Sequence, residues 1–109
     1  MYVAIRRYGL LTNEPLENVF QGIREGFIPL INNAPGFLAY YALDSGDGTL
    51  TSISVFEHRA GAERSNKLAE DWVGSTLAEA LPTSPDIIVG EVGAHEIDLI
   101  KLGIREVIE

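Results

Sequence analysis

Apolar side chains crowd into four stretches, near residues 2–8, 36–43, 49–56 and 87–94, and in each stretch both alternating faces carry residues that prefer burial. Such segments read as β-strands. Between the first and second, Leu16, Val19, Phe20, Ile23, Phe27, Leu30 and Ile31 recur at helical spacing, with Glu17, Gln21, Arg24 and Glu25 mostly opposite. Asn13 is placed to cap that helix, which Glu14 and Pro15 would open, and Pro29 should kink it or end its regular part. A second helix is expected from about residue 60 to 80, with Ala62, Ser65, Ala69, Trp72, Val73, Thr76 and Ala80 on one stripe. Pro82 and Pro85 end it and lead into the last strand. Ser45-Gly46-Asp47-Gly48 tolerates positive φ and makes strands two and three a hairpin.

The predicted order is therefore strand, helix, strand, strand, helix, strand. This is the ferredoxin-like βαββαβ arrangement of the α+β class, a four-stranded antiparallel sheet with two helices on one face. Four strands about 4.8 Å apart give a sheet roughly 20 Å wide, and two helices about 10 Å across cover one face only. The uncovered face has a footprint of about 450 Å², near the upper end of what a soluble monomer leaves open. A twofold homodimer is the simplest way to bury it. At ~25 cal/mol per Å², burial is worth on the order of 10 kcal/mol per subunit before association costs.

Parity assigns the faces. Val3, Ile5 and Arg7, with Ile53 and Val55, form the more aliphatic set and are expected beneath the helices. Tyr2, Ala4, Arg6 and Tyr8, with Leu50, Ser52, Ser54 and Phe56, are then expected toward a partner, where aromatic and hydrogen-bonding side chains suit an interface. For strand two, Phe37, Ala39, Tyr41 and Leu43 compete with Leu38, Tyr40 and Ala42.

The small residues around Trp72 leave space on the helix side, to be filled by Phe20, Phe27 and Trp72 or by a ligand. Arg7, if placed there, either pairs with an acid such as Glu57 or holds an anionic group of a ligand. His58, between strand three and the second helix, is either a proton acceptor at a pocket mouth or a solvated residue near the helix start. Residues 1–95 make one domain. Residues 96–109 form an extension whose apolar positions fit a short helix or an extended arm, packed on its own domain or on a partner subunit.

Composition removes several classes of chemistry. The 109-residue chain has a formal net charge of −8, from eight Lys and Arg against sixteen Asp and Glu, which disfavours nucleic acid and anionic lipid as partners. It has no cysteine, hence no disulfide, thiolate nucleophile or iron–sulfur cluster. The two histidines lack spaced acidic partners and make no metal signature. No basic-then-apolar leader and no eighteen-residue apolar run is present, so the expected location is the cytoplasm, away from membranes.

The element order, the Ala34-Pro35-Gly36-Phe37 step into strand two, and the Ser52-Ile53-Ser54-Val55-Phe56-Glu57 strand leading into an Ala-rich helix that holds Trp72 resemble the dimeric α+β barrel superfamily. Within it the likeness is to antibiotic-biosynthesis-monooxygenase-like domains, over roughly residues 1–95. The resemblance implies a homodimeric barrel with a pocket in each subunit between sheet and helices. It also implies a monooxygenase that needs no cofactor, because a small polyketide or quinol-type aromatic substrate supplies the electrons. On that reading Trp72, Arg7 and His58 are the candidate catalytic residues, and Phe20, Phe27, Tyr41, Ser65, Asn66, Ala69 and Thr76 the candidate ligand-binding ones, with Tyr40 or Tyr41 beside Arg7 at an oxyanion. The asparagine and tryptophan that some members carry one helical turn apart do not carry over, since Asn66 and Trp72 are six apart and separated by about 120°. Haem-degrading members use a histidine late in that helix, and here none lies between Trp72 and Pro82. Two other readings stand beside the enzyme: a dimeric module that binds a small hydrophobic ligand, and a structural or stress-related dimer.

Overall fold

A computed structural model describes residues 1–11 and 13–103. Strands β1 (Tyr2–Gly9), β2 (Phe37–Gly46), β3 (Thr49–Phe56) and β4 (Asp86–Glu91) form one antiparallel sheet in the order β2-β3-β1-β4. Helical segments α1 (Leu16–Gly22) and α2 (Ile28–Asn32), joined by a π-helical turn at Ile23–Phe27, and helix α3 (Arg59–Thr76) cover one face. The βαββαβ order matches the ferredoxin-like expectation. No helix among the described residues is long and apolar enough to cross a membrane.

Local chemistry accounts for most boundaries. Asp47 and Gly48 both have positive φ, 52° and 70°, and make the two-residue turn between β2 and β3. Gly36, at φ 78°, takes the left-handed position that leads from α2 into β2. The helical run starts at Leu16 with Pro15 as its N-cap and no side-chain cap, so Asn13 does not serve as expected. Pro29 neither ends nor breaks the run. Its missing N–H and its ring conflict with the turn before it, and the widened π-turn at Ile23–Phe27 accommodates that conflict.

The strand register shows that the residues expected to share a face do share it, but that the face is the other one. Ala4, Arg6, Tyr8, Leu50, Ser52, Ser54 and Phe56 are buried beneath the helices, whereas Val3, Ile5, Ile53 and Val55 lie half-exposed on the opposite side with Arg7. The physical reason is the small stripe of α3. Gly61, Ala62, Ser65 and Ala69 bring the helix close to the sheet, and the larger Tyr8, Arg6 and Phe56 rise to meet it. A Cβ on Gly61 would stand 2.6 Å from the Phe56 ring, so that approach requires glycine. For β2 a bulge at Leu38 shifts the alternation, placing Phe37, Tyr40 and Ala42 on the covered face and Ala39, Tyr41 and Leu43 on the open one. Neither strict alternation considered for this strand is correct as a whole.

Residues 98–103 form a short turn in which Leu102 N–H donates to Asp98 O and Gly103 N–H to Ile100 O. Ile97, Leu99, Ile100 and Leu102 are exposed. The rest of the expected extension, residues 104–109, lies outside the described residues.

Candidate functional site

Arg6 stands in the middle of the covered face, with Ser52 directly opposite on β3. Its exposure is 0%. Nε donates to Ser52 Oγ at 3.0 Å, Nη2 to Ser54 Oγ at 2.5 Å, and Nη1 to Ser65 Oγ at 3.1 Å and Asn66 Oδ1 at 2.9 Å. All four acceptors are neutral. Taking a guanidinium out of water costs several kcal/mol, and neutral oxygens offset that less well than a carboxylate. Accordingly, burial lowers the Arg6 pKa, while the neighbouring Tyr8 and Tyr40 oppose the shift. A guanidinium starts so high that it remains a cation. Among the described residues, none of the ion pairs includes Arg6.

Beside this cation a cavity of about 20 Å³, room for roughly one water molecule, lies between sheet and helices. Phe27, Trp72, Ala69, Tyr8, Tyr40 and Ser52 contribute to its walls. Phe27 organises the aromatic side, its ring centroid 5.2 Å from that of Tyr40 and 5.6 Å from that of Trp72. Trp72 in turn lies against the π-turn, where a Cβ on Gly26 would come within 2.7 Å of the indole. Burial pushes both phenols up, and Arg6 pulls each partly back. Tyr8 and Tyr40 are therefore neutral hydrogen-bond donors near pH 7 rather than bases. A fixed positive charge behind two neutral donors, with an aromatic wall alongside, is suited to stabilising an oxyanion brought up to it.

The structure sorts the residues expected at the site. Phe27, Ala69 and Trp72 wall the cavity, and Ser65 and Asn66 bind Arg6. Arg7 is exposed on the open face, so it cannot reach the cavity. Its expected partner Glu57 follows Phe56, which pairs with Tyr2 at the other end of β1, about 17 Å of strand away; Asp86 is the acid in register with Arg7. Tyr41 is 58% exposed on the open side of β2, where it lines a shallow groove with Phe20 and Ile28. His58 is exposed at the N-terminus of α3, and Thr76 is exposed at its C-terminus. Neither they nor Phe20 wall the cavity. The residues missed were Arg6, Tyr8, Ser52 and Ser54. A signal for them existed: an arginine flanked by Ala4 and Tyr8 shares its parity with a Ser-x-Ser strand, the composition of a buried polar network and not of an aliphatic interface.

The fold is that of the antibiotic-biosynthesis-monooxygenase-like proteins. No protein-family model matches the chain, and no curated protein matches it either. Three solved structures show the likeness. NE2512 from Nitrosomonas europaea, a protein of unknown function, superposes with a TM-score of 0.69 at 21% identity over 89% of this chain and 93% of its own. The ActVA-Orf6 monooxygenase of Streptomyces coelicolor, in complex with nanaomycin D, gives 0.65 at 17% identity, covering 89% and 91%. A mutant of MhuD, with two manganese protoporphyrin IX molecules per active site, gives 0.65 at 16%, covering 90% and 100%.

Proposed function

We propose that this protein is a cofactor-independent monooxygenase of small aromatic substrates, of the polyketide or quinol type, acting as a twofold dimer. The observation that carries the reading is Arg6, a wholly buried cation held by neutral oxygens and in no ion pair among the described residues, next to two neutral phenols and an aromatic wall. The nanaomycin D complex of a protein with the same fold supports it. In such chemistry an electron-rich carbon bearing two hydrogens becomes a carbonyl; one atom of dioxygen enters the product, the other leaves as water, and the substrate supplies all four electrons. The chain's part is to hold the substrate anion. Arg6 takes the oxyanion role first expected of Arg7, Tyr8 donates to the same oxygen, and Tyr40, Trp72 and Phe27 form the aromatic wall that holds Tyr8 and Arg6 in place. Among the described residues no imidazole lines the cavity, which favours the polyketide-type ligand over a tetrapyrrole.

The open face supports the dimer. Val3, Ile5, Ile53, Val55, Tyr41 and Ile88 make a largely apolar surface, of which Tyr41 is 58% and Ile88 65% exposed in the single chain. The exposed apolar residues of 97–102 suit an arm laid over the partner.

Oxygen uptake with a panel of anthrones and quinols tests the activity. Uptake on at least one member, reduced tenfold or more in Trp72→Ala, is expected. No uptake across the panel removes the enzyme and leaves the two other readings, of which the structural dimer with a filled core is the one favoured by the closeness of the packing around the cavity.

A further inference from the structure

Arg6 itself is fully buried, and only one of its four side-chain acceptors opens toward solvent. Ser52, Ser54 and Ser65 are buried, whereas Asn66, its fourth partner, is half-exposed and lines a groove of about 480 Å³ between α3 and the strap formed by residues 82–85. Tyr8, Val73 and Leu81 line this groove and the inner cavity alike, so their side chains are the partition between the two spaces. Pro82, Pro85 and Ile87 give the groove an apolar outer wall. Its volume lies within the range of small-ligand sites, roughly 300–1,000 Å³, while the inner cavity holds about one water.

We propose that this groove, and not the inner cavity, is where the ligand binds, and that it takes an acidic phenol or enol as its anion, whose oxygen displaces Asn66 Oδ1 from Arg6 Nη1. The inference deepens the function proposed above and rests on it for the ring-shaped body of the ligand; the charge rests on Arg6 alone. Asn66 is the partner that can be exchanged, because it alone of the four is both solvent-accessible and in the groove. An anionic oxygen adds to the hydrogen bond a full Coulombic attraction to the guanidinium that the neutral amide oxygen of Asn66 lacks, so the exchange runs toward the anion. The groove also carries Glu63, Lys67 and Glu70. Glu63 is ion-paired with Arg59 and Lys67 with Asp71, all at exposed positions where water weakens their field, whereas Arg6 acts from inside, where an effective dielectric near 20 makes attraction about four times stronger than in water. Among the described residues, neither space is lined by an imidazole, and the phenols are not bases. The ligand therefore brings its own acidity and arrives ionised.

The coloured anion of 2-hydroxy-1,4-naphthoquinone and its uncharged 2-methyl ether test this, with binding followed by absorbance and calorimetry. The hydroxyl compound is expected to bind at least tenfold tighter than the ether. Asn66→Ala should tighten the anion severalfold and leave the ether unchanged, since nothing remains to be displaced. Arg6→Met should reduce the preference to threefold or less, and a melting curve shows whether it folds; should it not, Asn66→Ala alone decides. Equal binding of anion and ether overturns the inference, as does an Asn66→Ala change that weakens the anion. Anion binding without oxygen consumption on any substrate retires the monooxygenase and leaves this site standing; oxygen consumption limited to non-acidic substrates does the reverse.

Discussion

The two faces of one sheet divide the work in opposite ways. Beneath the helices lie Arg6, Ser52, Ser54, Tyr8 and Phe56, a mixed polar and aromatic layer tied together by hydrogen bonds. On the outside lie Val3, Ile5, Ile53 and Val55, a plain aliphatic layer left half-covered. Intuition assigns the greasier layer to the inside. The contrast shows that in a chain this small the inside is where polar side chains can be held away from water, while the greasier face is left open. Directional hydrogen bonds need a rigid surround, which helices from the same chain provide; non-directional apolar contact does not.

Changing each face should have a different signature. The largest effect on folding is expected from Phe56→Ala, which empties a fully buried ring beneath Gly61 and Phe37 and should cost about 3–5 kcal/mol in denaturant unfolding. A loss below about 1 kcal/mol would mean that this layer is not the core. Ile53→Asp on the open face should instead raise the dimer dissociation constant by about 100-fold, or ~3 kcal/mol, because a charge at an apolar interface centre is left unpaired. Sedimentation reads it directly, and a wild-type chain that already runs as an 11.9 kDa particle at micromolar concentration removes the dimer.

Smaller effects sharpen the contrast. Gly26→Ala pushes a methyl group to within 2.7 Å of the Trp72 indole and should cost about 1–3 kcal/mol, with a shift in tryptophan fluorescence; an unchanged spectrum argues against the close approach. Burial raises the Tyr8 and Tyr40 pKa values above 10.0, so in the folded state these phenols keep their protons after the unfolded chain has lost its own. Their contribution is fully present below pH 10 and is lost as pH rises through their higher folded range. The melting temperature should fall there, less steeply in Tyr8→Phe; identical slopes would place Tyr8 outside the dry layer. Arg7→Ala should change subunit stability by no more than about 0.5 kcal/mol, in contrast to any change at Arg6, and a larger loss would return Arg7 to a structural role.

Much of this molecule is readable along the chain. Alternation and 3.6-residue spacing specify four strands and the helical runs, because these periods are local properties of the backbone. The turn at Asp47-Gly48 follows from residues that tolerate positive φ. The grouping of Ala4, Arg6 and Tyr8 with Ser52, Ser54 and Phe56 is read from the chain as well, since parity sets the members within each strand and the antiparallel register brings the two sets onto one face. What parity cannot say is which group lies under the helices. That depends on how each crossover passes over the sheet, a property of the whole topology and not of any one strand.

The site falls on the tertiary side of that line. Phe27, Ala69 and Trp72 are visible in sequence as an apolar stripe, and the structure does place them at one cavity. Arg6 is not visible as its centre, because an arginine between a strand's apolar neighbours is equally compatible with solvent, an interface or a buried network. Only the approach of α3, made close by Gly61, Ala62 and Ser65, sets Ser65 and Asn66 over Arg6 and leaves its charge surrounded by neutral oxygens. The chain by itself determined its elements and which side chains travel together; packing decided which of them would be shut away from water, because burial is a property of neighbours far apart in the chain.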